Sequence, residues 1–424
     1  MRLTIQRDSL SMRNIQGLAA EWSLILVVLC YPIVASTTIL IGLPNRPVAI
    51  LYRAIYLMLA LLVIHIEVVS WRSAVRRYSI YIFMVALFWL AYLCRMCYDL
   101  LYLEAESPLL NRTGFMFFFQ YGILGSCIPA LGIAMGIKSI NFQRLFKWMR
   151  IVSAPLIFML FLVIYKQYGL SLEVFIERIA LGEEDEKTIS PIIMSRHGGI
   201  VCVLALYHMY LTRIGMYDVL LFVLGFATLI LGASRGPMIA VCLVFILMTV
   251  FFIKQRFKAL KTWRNLSIFS LIIIGLLMRY FSVLVERVNL LHRVELSVEQ
   301  GQGMSERENV WRTSWQQFLD SPIYGEHIVE RYYGFYPHNV ILEILMATGL
   351  IGFMILLPVF WKVLYNIFVI VDPYKRVLLY LFILLFVFVF FSSAIITMPH
   401  FWVVLSLVAA MNSSAKSERT VSVK

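Results

Sequence analysis

The chain reads as an all-α, polytopic integral membrane protein, and three observations predict it. Hydrophobic residues fill 61% of its 424 positions and charged residues 14%, whereas a soluble domain is about half apolar and about a quarter charged. Apolar runs of about 20 residues, the length that a bilayer core demands of a helix, recur along the whole sequence. Lysine and arginine concentrate in every second connection between these runs, as the positive-inside rule describes. Together these exclude a soluble globular enzyme, a disordered chain and a disulfide-stapled secreted module.

Twelve apolar runs are expected to span: 21–43, 48–70, 78–103, 115–137, 151–165, 191–212, 217–233, 236–253, 265–285, 338–361, 377–398 and 399–412. Turns such as Pro44-Asn45-Arg46-Pro47 and Asp372-Pro373 separate several of them. The split at 398/399 is the weakest boundary. Residues 1–20 are polar and the first run is long enough to span, a pattern unlike a cleavable signal peptide. The whole of 1–424 is expected to form one integral membrane domain.

Orientation follows from the connections. With the N-terminus in the cytoplasm, the inner segments 1–20, 71–77, 138–150, 213–218, 254–264, 362–376 and 413–424 hold 22 Lys/Arg against 4 Asp/Glu. The outer segments 44–47, 104–114, 166–190 and 286–337 hold 10 Lys/Arg against 16 Asp/Glu. Both termini are therefore expected in the cytoplasm. The net charge of +13 is spread over seven inner connections, so it sets topology and does not form a nucleic-acid surface. Six cysteines (Cys30, Cys94, Cys97, Cys127, Cys202, Cys242) lie within spans. Cys94 and Cys97 have redox-motif spacing but no thioredoxin-like context, and read as small apolar residues.

Charges left inside the spans carry the functional signal, because an ionisable group near the bilayer centre costs about 3 kcal/mol or more and usually faces a polar cavity. Arg196 and His197 fall near the outer end of span six, Arg235 at the junction of spans seven and eight, Arg279 in the outer third of span nine, and His338 at the start of span ten. All stand at a similar depth towards the outer face. Arg53 is placed to snorkel, and Arg95 with Asp99 forms an i, i+4 structural pair. His65, Glu67 and His208 lie towards the inner half and read as structural. Arg279 suits either snorkelling or substrate contact.

The outer loop 286–337 is the longest hydrophilic segment and reads as folded. Ser305-Glu306-Arg307-Glu308 fits a capping box with Ser305 as N-cap. Val310, Trp311, Ser314, Trp315, Phe318 and Leu319 follow at helical spacing, and Asp320-Ser321-Pro322 stops the run. The result is a short amphipathic helix with Arg307 in its first turn. A cation is unfavourable there unless an anion such as a phosphate bridges it to the helix start; the ordinary alternative is a bridge to Glu306 or Glu308. The aromatic stretch from Tyr332 to Tyr336 suits either a sugar-stacking surface or an interfacial belt.

Three stretches then resemble a known family: Gly232-Ala-Ser-Arg235-Gly236; Ser305-Glu-Arg307 with Trp311 and Pro322-Ile-Tyr-Gly325; and Pro337-His338-Asn339 through Glu343 into Thr348-Gly349-Leu-Ile-Gly352. Together they are similar to the O-antigen ligase/polymerase superfamily of lipid-dependent membrane glycosyltransferases, over roughly residues 225–357. The glycine after Pro322 is followed by Glu326-His327 where the family commonly has a second glycine.

The resemblance implies a multi-pass protein of the bacterial inner membrane with its active site facing the periplasm. It implies as donor a glycan on undecaprenyl diphosphate, with a lipid-linked repeat unit or lipid A-core as acceptor. Membrane lipids and a chain-length regulator are the further partners implied. Arginines suit a diphosphate because guanidinium makes bidentate phosphate contacts. On this reading Arg235 and Arg307, with Arg196 or Arg279, neutralise the leaving group. His338 deprotonates or orients the attacking hydroxyl. Asn339 and Glu343 share a helix face and position the site, with His197 beside the substrate. Attack opposite the diphosphate inverts the anomeric centre, and no cofactor or metal is expected. The leading expectation is a polymerase joining lipid-linked repeat units; the alternative is a ligase to lipid A-core, and a third reading is a transporter.

Overall fold

The computed structural model describes residues 2–71, 79–102, 116, 118–169, 181–183, 186–212, 214–232, 235–255, 302–392 and 394–412. It is helical apart from one short antiparallel hairpin, β1 (Leu181–Glu183) with β2 (Glu186–Ile189). That hairpin was not anticipated. It sits in the segment expected to connect spans five and six, with Leu181 and Ile189 buried.

The helices in chain order are α1 (Arg2–Ile25), running through a π-helical turn at Leu26–Cys30 into α2 (Tyr31–Ile41); α3 (Asn45–Trp71); and α4 (Ile80–Tyr102). A π-helical stretch, Phe119–Cys127, then leads into α5 (Ile128–Met135). There follow α6 (Phe142–Tyr168), α7 (Pro191–Leu211), α8 (Met216–Leu231), α9 (Arg235–Gln255), α10 (Gln302–Asp320), α11 (Val340–Val369), α12 (Pro373–Ser392) and α13 (Pro399–Ala410). Among the described residues eight segments are long and apolar enough to cross a membrane, so the chain is a multi-pass membrane protein. Three shorter apolar helices (Met216–Leu231, Gly236–Phe251, Pro399–Ala410) coincide with expected spans seven, eight and twelve. Expected span nine, with Arg279, lies outside the described residues, as does the part of the long loop before Gln302.

Several boundaries differ from expectation, among them a first helix that already begins at Arg2 and a fifth span that runs over Phe142–Tyr168 rather than 151–165, and two differences bear on the site. The loop helix α10 starts at Gln302, three residues before Ser305, so Ser305 is not its N-cap and Arg307 falls beyond its first turn. Span ten extends past position 361 to Val369, and it is not a single straight helix. Gly349 inside it has φ +62° and ψ −160°, a conformation that breaks the ladder. Beyond that break, residues 350–369 are enough to cross a bilayer core at 1.5 Å per residue.

The break in α11 is filled by the loop. Leu350 N–H donates to Pro322 O at 2.8 Å, Ile351 N–H to Ile323 O at 3.2 Å and Glu326 N–H to Met346 O at 2.9 Å. Backbone thus meets backbone with no room for side chains: a Cβ on Gly325 would lie 2.4 Å from Ala347 C, and one on Gly349 would lie 2.4 Å from Ile323 O. Both glycines have positive φ, which a residue with a Cβ adopts only at a cost. Carbonyls and amides freed by the kink are therefore satisfied by the loop rather than left bare in an apolar setting.

The helix ends alternate between two faces of the bundle. One face, called upper below, carries the start of α7, α9 and α11 and the end of α4 and α12. Near the lower face, buried carboxylates are paired: Glu21 with Arg144 at 2.7 Å, and Asp218 with Arg150 and, at 2.8 Å, His208. Glu67 accepts from Gln16 Nε2 at 2.6 Å. The Arg95–Asp99 pair forms as expected at 2.7 Å, but it stands at the upper end of α4 and grips the loop. Arg95 Nη1 donates to Gly325 O at 3.1 Å, and Asp99 Oδ2 accepts from Ile328 N–H at 2.9 Å.

Candidate functional site at the break between α12 and α13

The last two helices are interrupted at 393–398, where the chain makes a 3₁₀ turn at Ile395–Thr397 before Pro399 starts α13. The last helix starts at Pro399 as expected, whereas the helix before it ends at Ser392, six residues short of the expected 398. The interruption leaves peptide groups without helical partners inside the bundle, and side chains of α11, the π-helical stretch and α13 itself supply several of them. Both oxygens of Glu343, on α11, accept from Ile395 N–H at 3.0 and 3.2 Å. Ile395 O accepts from Trp402 Nε1 at 2.8 Å, and Ile396 O from Ser126 Oγ at 3.2 Å. Arg307 Nη1 lies 3.4 Å from Phe391 O, and Arg196 Nη1 lies 3.3 Å from Met398 Sδ. The stretch from Phe391 to His400 is thus the meeting point of residues separated by up to 270 positions in the chain.

His338 stands at the mouth of this arrangement. Its φ is +55°, in the left-handed region that a non-glycine residue occupies only when its surroundings impose it. What imposes it is visible on either side. Before it, Pro337 O accepts from Trp311 Nε1 on α10 at 2.8 Å. After it, Asn339 is the N-cap of α11, its Oδ1 accepting from Ile341 N–H at 3.1 Å and Leu342 N–H at 3.2 Å. The His338 ring meets Tyr336 edge-on with centroids 4.9 Å apart, and its Nδ1 is buried with no hydrogen-bond partner. Burial, and then the positive charge of Arg307, lower the His338 pKa. The imidazole is consequently neutral at neutral pH and keeps a lone pair.

The loop that presents His338 is itself built around buried Gln317 on α10. Gln317 Nε2 donates to His327 O and Val329 O at 3.3 and 3.2 Å, and its Oε1 accepts from Arg331 N–H at 3.1 Å. Glu330 Oε2 then accepts from Tyr332 N–H and Tyr333 N–H at 3.0 and 2.6 Å. This turn leaves Tyr332, Tyr333 and Phe335 exposed beside the site.

Arg235 is the first residue of α9. The glycines around it are contact points: a Cβ on Gly232 would lie 2.2 Å from Ser195 Oγ, and one on Gly236 would lie 3.2 Å from Ser392 Oγ and 3.4 Å from Phe391 Cβ. Gly232 is therefore packed against the start of α7, next to Arg196, and Gly236 against the end of α12.

Of the residues expected to form the site, His338, Arg307, Arg196, His197 and Glu343, and the backbone of Arg235, lie around this break; Arg279 lies outside the described residues. Glu343 and Asn339 are engaged within the protein itself, Glu343 holding the turn at Ile395 and Asn339 capping α11. Sequence reasoning missed His400, two residues beyond Met398, whose ring centroid is 6.2 Å from that of His197. The available signal was a histidine inside an apolar run directly after a proline. It also missed Asn339 as a cap, although Asn before an apolar helical run is a cap signature. Among the described residues, no group of three or more His, Cys, Asp or Glu is placed to hold a metal ion.

Three histidines (His197, His338, His400) with Arg196 and Arg307 make an arrangement that can bind an anionic group and take a proton from a neighbouring hydroxyl. Residues 220–357, which take in most of α8, all of α9 and α10 and the first part of α11, match the family model described as O-antigen ligase. No curated protein matches the chain.

Proposed function

We propose that this chain, whose O-antigen ligase domain at 220–357 supports its membership of the O-antigen ligase/polymerase superfamily, is a polymerase of surface polysaccharide. It transfers a glycan from a polyprenyl diphosphate, undecaprenyl diphosphate in bacteria, onto a lipid-linked repeat unit at the outer face of the inner membrane. The observation that carries this reading is neutral His338 within the electrostatic reach of cationic Arg307, whose Nη1 lies 3.4 Å from Phe391 O at the end of α12.

In the reaction the acceptor hydroxyl attacks the anomeric carbon and the bond from that carbon to the diphosphate oxygen breaks. The hydroxyl proton passes to the free nitrogen lone pair of His338, and the polyprenyl diphosphate leaves with the bonding electrons. Displacement from the opposite face inverts the anomeric centre. Arg307 and Arg235 offset the charge that grows on the leaving oxygen, a role for which planar guanidinium is better matched than ammonium. Glu343 acts one step back, by fixing the turn at Ile395. The exposed rings of Tyr332, Tyr333 and Phe335 offer apolar faces to sugars.

Deletion of the gene tests the reading in the lipopolysaccharide ladder. A polymerase deletion is expected to leave core bearing a single repeat unit. Bare core with accumulated lipid-linked polymer would assign the ligase activity instead, and an unchanged ladder would reject both. His338→Ala and Arg307→Ala are expected to lower transfer by about 10²–10⁴-fold while the protein still inserts and accumulates. Arg307→Lys is expected to stay impaired, because it keeps the charge and loses the bidentate geometry.

A further inference from the structure

Arg53 is a charge set inside a membrane span. Helix α3 ends at Trp71 and α4 starts at Ile80, so α3 begins at the upper face, where α4 ends. Arg53 is the ninth residue of α3, about 12 Å below its start at 1.5 Å per residue. The sequence places it to snorkel; the structure lays its guanidinium over the Tyr121 ring, 4.1 Å from the centroid. A ring face attracts the cation but accepts none of its five N–H donors, which radiate in the guanidinium plane. Among the described residues no carboxylate or other acceptor takes up those donors. Elsewhere in the bundle such charges are paired: Arg95 with Asp99, Arg144 with Glu21 and Arg150 with Asp218.

The place opens towards the bilayer on one side and borders the break between α12 and α13 on the other. Helix α3 turns Ile50, Leu51, Ile55 and Met58 outward, each 47–69% exposed, and half-buried Arg53 stands at the edge of that lipid-facing surface. Tyr121 belongs to the π-helical stretch Phe119–Cys127, which is fastened on both sides. Tyr56, one turn after Arg53, donates its hydroxyl to Gly125 O at 3.4 Å. Ser126 Oγ lies 3.0 Å from Tyr121 O and 3.2 Å from Ile396 O, and a Cβ on Gly122 would lie 3.2 Å from Ile396 Cγ2. Arg53 is thus held on the bilayer side of a wall whose other side touches the break. A guanidinium with open donors is costly in an apolar setting, and the acceptors that a bilayer offers at its outer half are lipid phosphates, which suit the planar fork.

We propose that Arg53, seated on Tyr121, is a lipid-phosphate site that takes the headgroup of the acceptor lipid. Joining two lipid-linked substrates requires two phosphate headgroups to be held at once, and on the proposed reading Arg307 and Arg235 serve the donor. Arg53 comes from α3, outside the matched residues 220–357, and the backbone of the π-helical stretch separates it from the break. A bilayer lipid reaches it without leaving the membrane, its tail lying along the exposed apolar side of α3. The identity of the lipid as acceptor rests on the proposed transferase reading; the lipid-phosphate site does not.

The test titrates undecaprenyl diphosphate into the purified full-length protein in phosphatidylcholine nanodiscs. Wild type is expected to bind two equivalents and Arg53→Gln one, with unchanged accumulation in the membrane. Arg53→Lys, which keeps a charge and loses the planar fork, covers the case in which Arg53→Gln fails to fold; its second equivalent is expected to bind about tenfold more weakly. The same number of equivalents at the same affinity in wild type and both variants overturns the site. Phosphatidylglycerol is the second probe, and its displacing the Arg53-dependent equivalent at comparable concentration overturns the acceptor assignment in favour of an ordinary anionic lipid. In a transfer assay Arg53→Gln is expected to raise the KM for the lipid-linked acceptor about tenfold and to leave kcat and the donor KM unchanged. A loss of kcat at unchanged acceptor KM overturns the acceptor role. Arg53-dependent binding with no transfer by wild type would instead reject the transferase reading and leave the lipid-phosphate site standing.

Discussion

His338 combines a left-handed backbone, a buried unpartnered Nδ1 and a lowered pKa, a set of costs that the proposed catalytic role would explain. The direction of the shift makes a pH prediction. Protonation removes the lone pair, so transfer is expected to fall on the acid side, at a pH below the ordinary histidine value. Because Arg307 contributes to the lowering, Arg307→Ala is expected to raise the His338 pKa and move the acid limb of the pH–rate profile to higher pH. An acid limb that stays in place in Arg307→Ala would mean that the two side chains do not act on one another. At the same scale, Gly349→Ala and Gly325→Ala place a Cβ about 2.4 Å from backbone atoms of a neighbouring segment at positive φ. The conformation alone costs about 1–2 kcal/mol, and the clash adds to it. Both variants are expected to lower the thermal midpoint in detergent, which a melting curve reads directly.

Between elements, the decisive contact is the seating of the loop 321–328 in the kink of α11, with the Arg95–Asp99 pair of α4 locking it from the other side. Removing one member of a buried pair leaves the other charge uncompensated, at about 3–5 kcal/mol, whereas neutralising both is far milder. Arg95→Met is therefore expected to be strongly destabilising, and Arg95→Met with Asp99→Asn to recover much of the loss, since Asn can still accept from Ile328 N–H. Thermal unfolding of the two variants makes the comparison. Equal melting of both would mean that the pair does not hold the loop. A second consequence concerns position: His338 is reached from Ile328 through only ten residues, so slackening the loop is expected to reduce transfer along with stability.

For the molecule as a whole, the alternating charge of the connections predicts both termini on the cytoplasmic side and the α12–α13 break near the periplasmic side. Single cysteines introduced at Asn45 and at Tyr332 are expected to react with a membrane-impermeant thiol reagent in intact spheroplasts, in a background lacking the natural cysteines, whereas one at Lys375 is expected to react only after lysis. The opposite pattern would invert the orientation and move the site to the cytoplasm.

Much of this was legible along the chain. Each expected span that falls in the described residues corresponds to a helix, because bilayer thickness and hydropathy act on local sequence and need no partner. Arg196 and His338 were legible for the complementary reason, that a charge or imidazole in an apolar setting is expensive wherever it packs. What no local pattern carries is convergence. His400 looks like one polar residue in an apolar run until Arg196 and His197 are packed beside it, and Glu343 looks like a substrate contact until the turn at Ile395 offers its N–H. Gly325 and Gly349 become intelligible only together, as one backbone seated against another. Composition and charge order determined the membrane, the spans and the identity of the polar intruders, since those follow from transfer free energies of single segments. The tertiary structure alone decided which intruders meet, because an interrupted helix end must find its hydrogen bonds in whatever side chains the packing of distant segments brings to it.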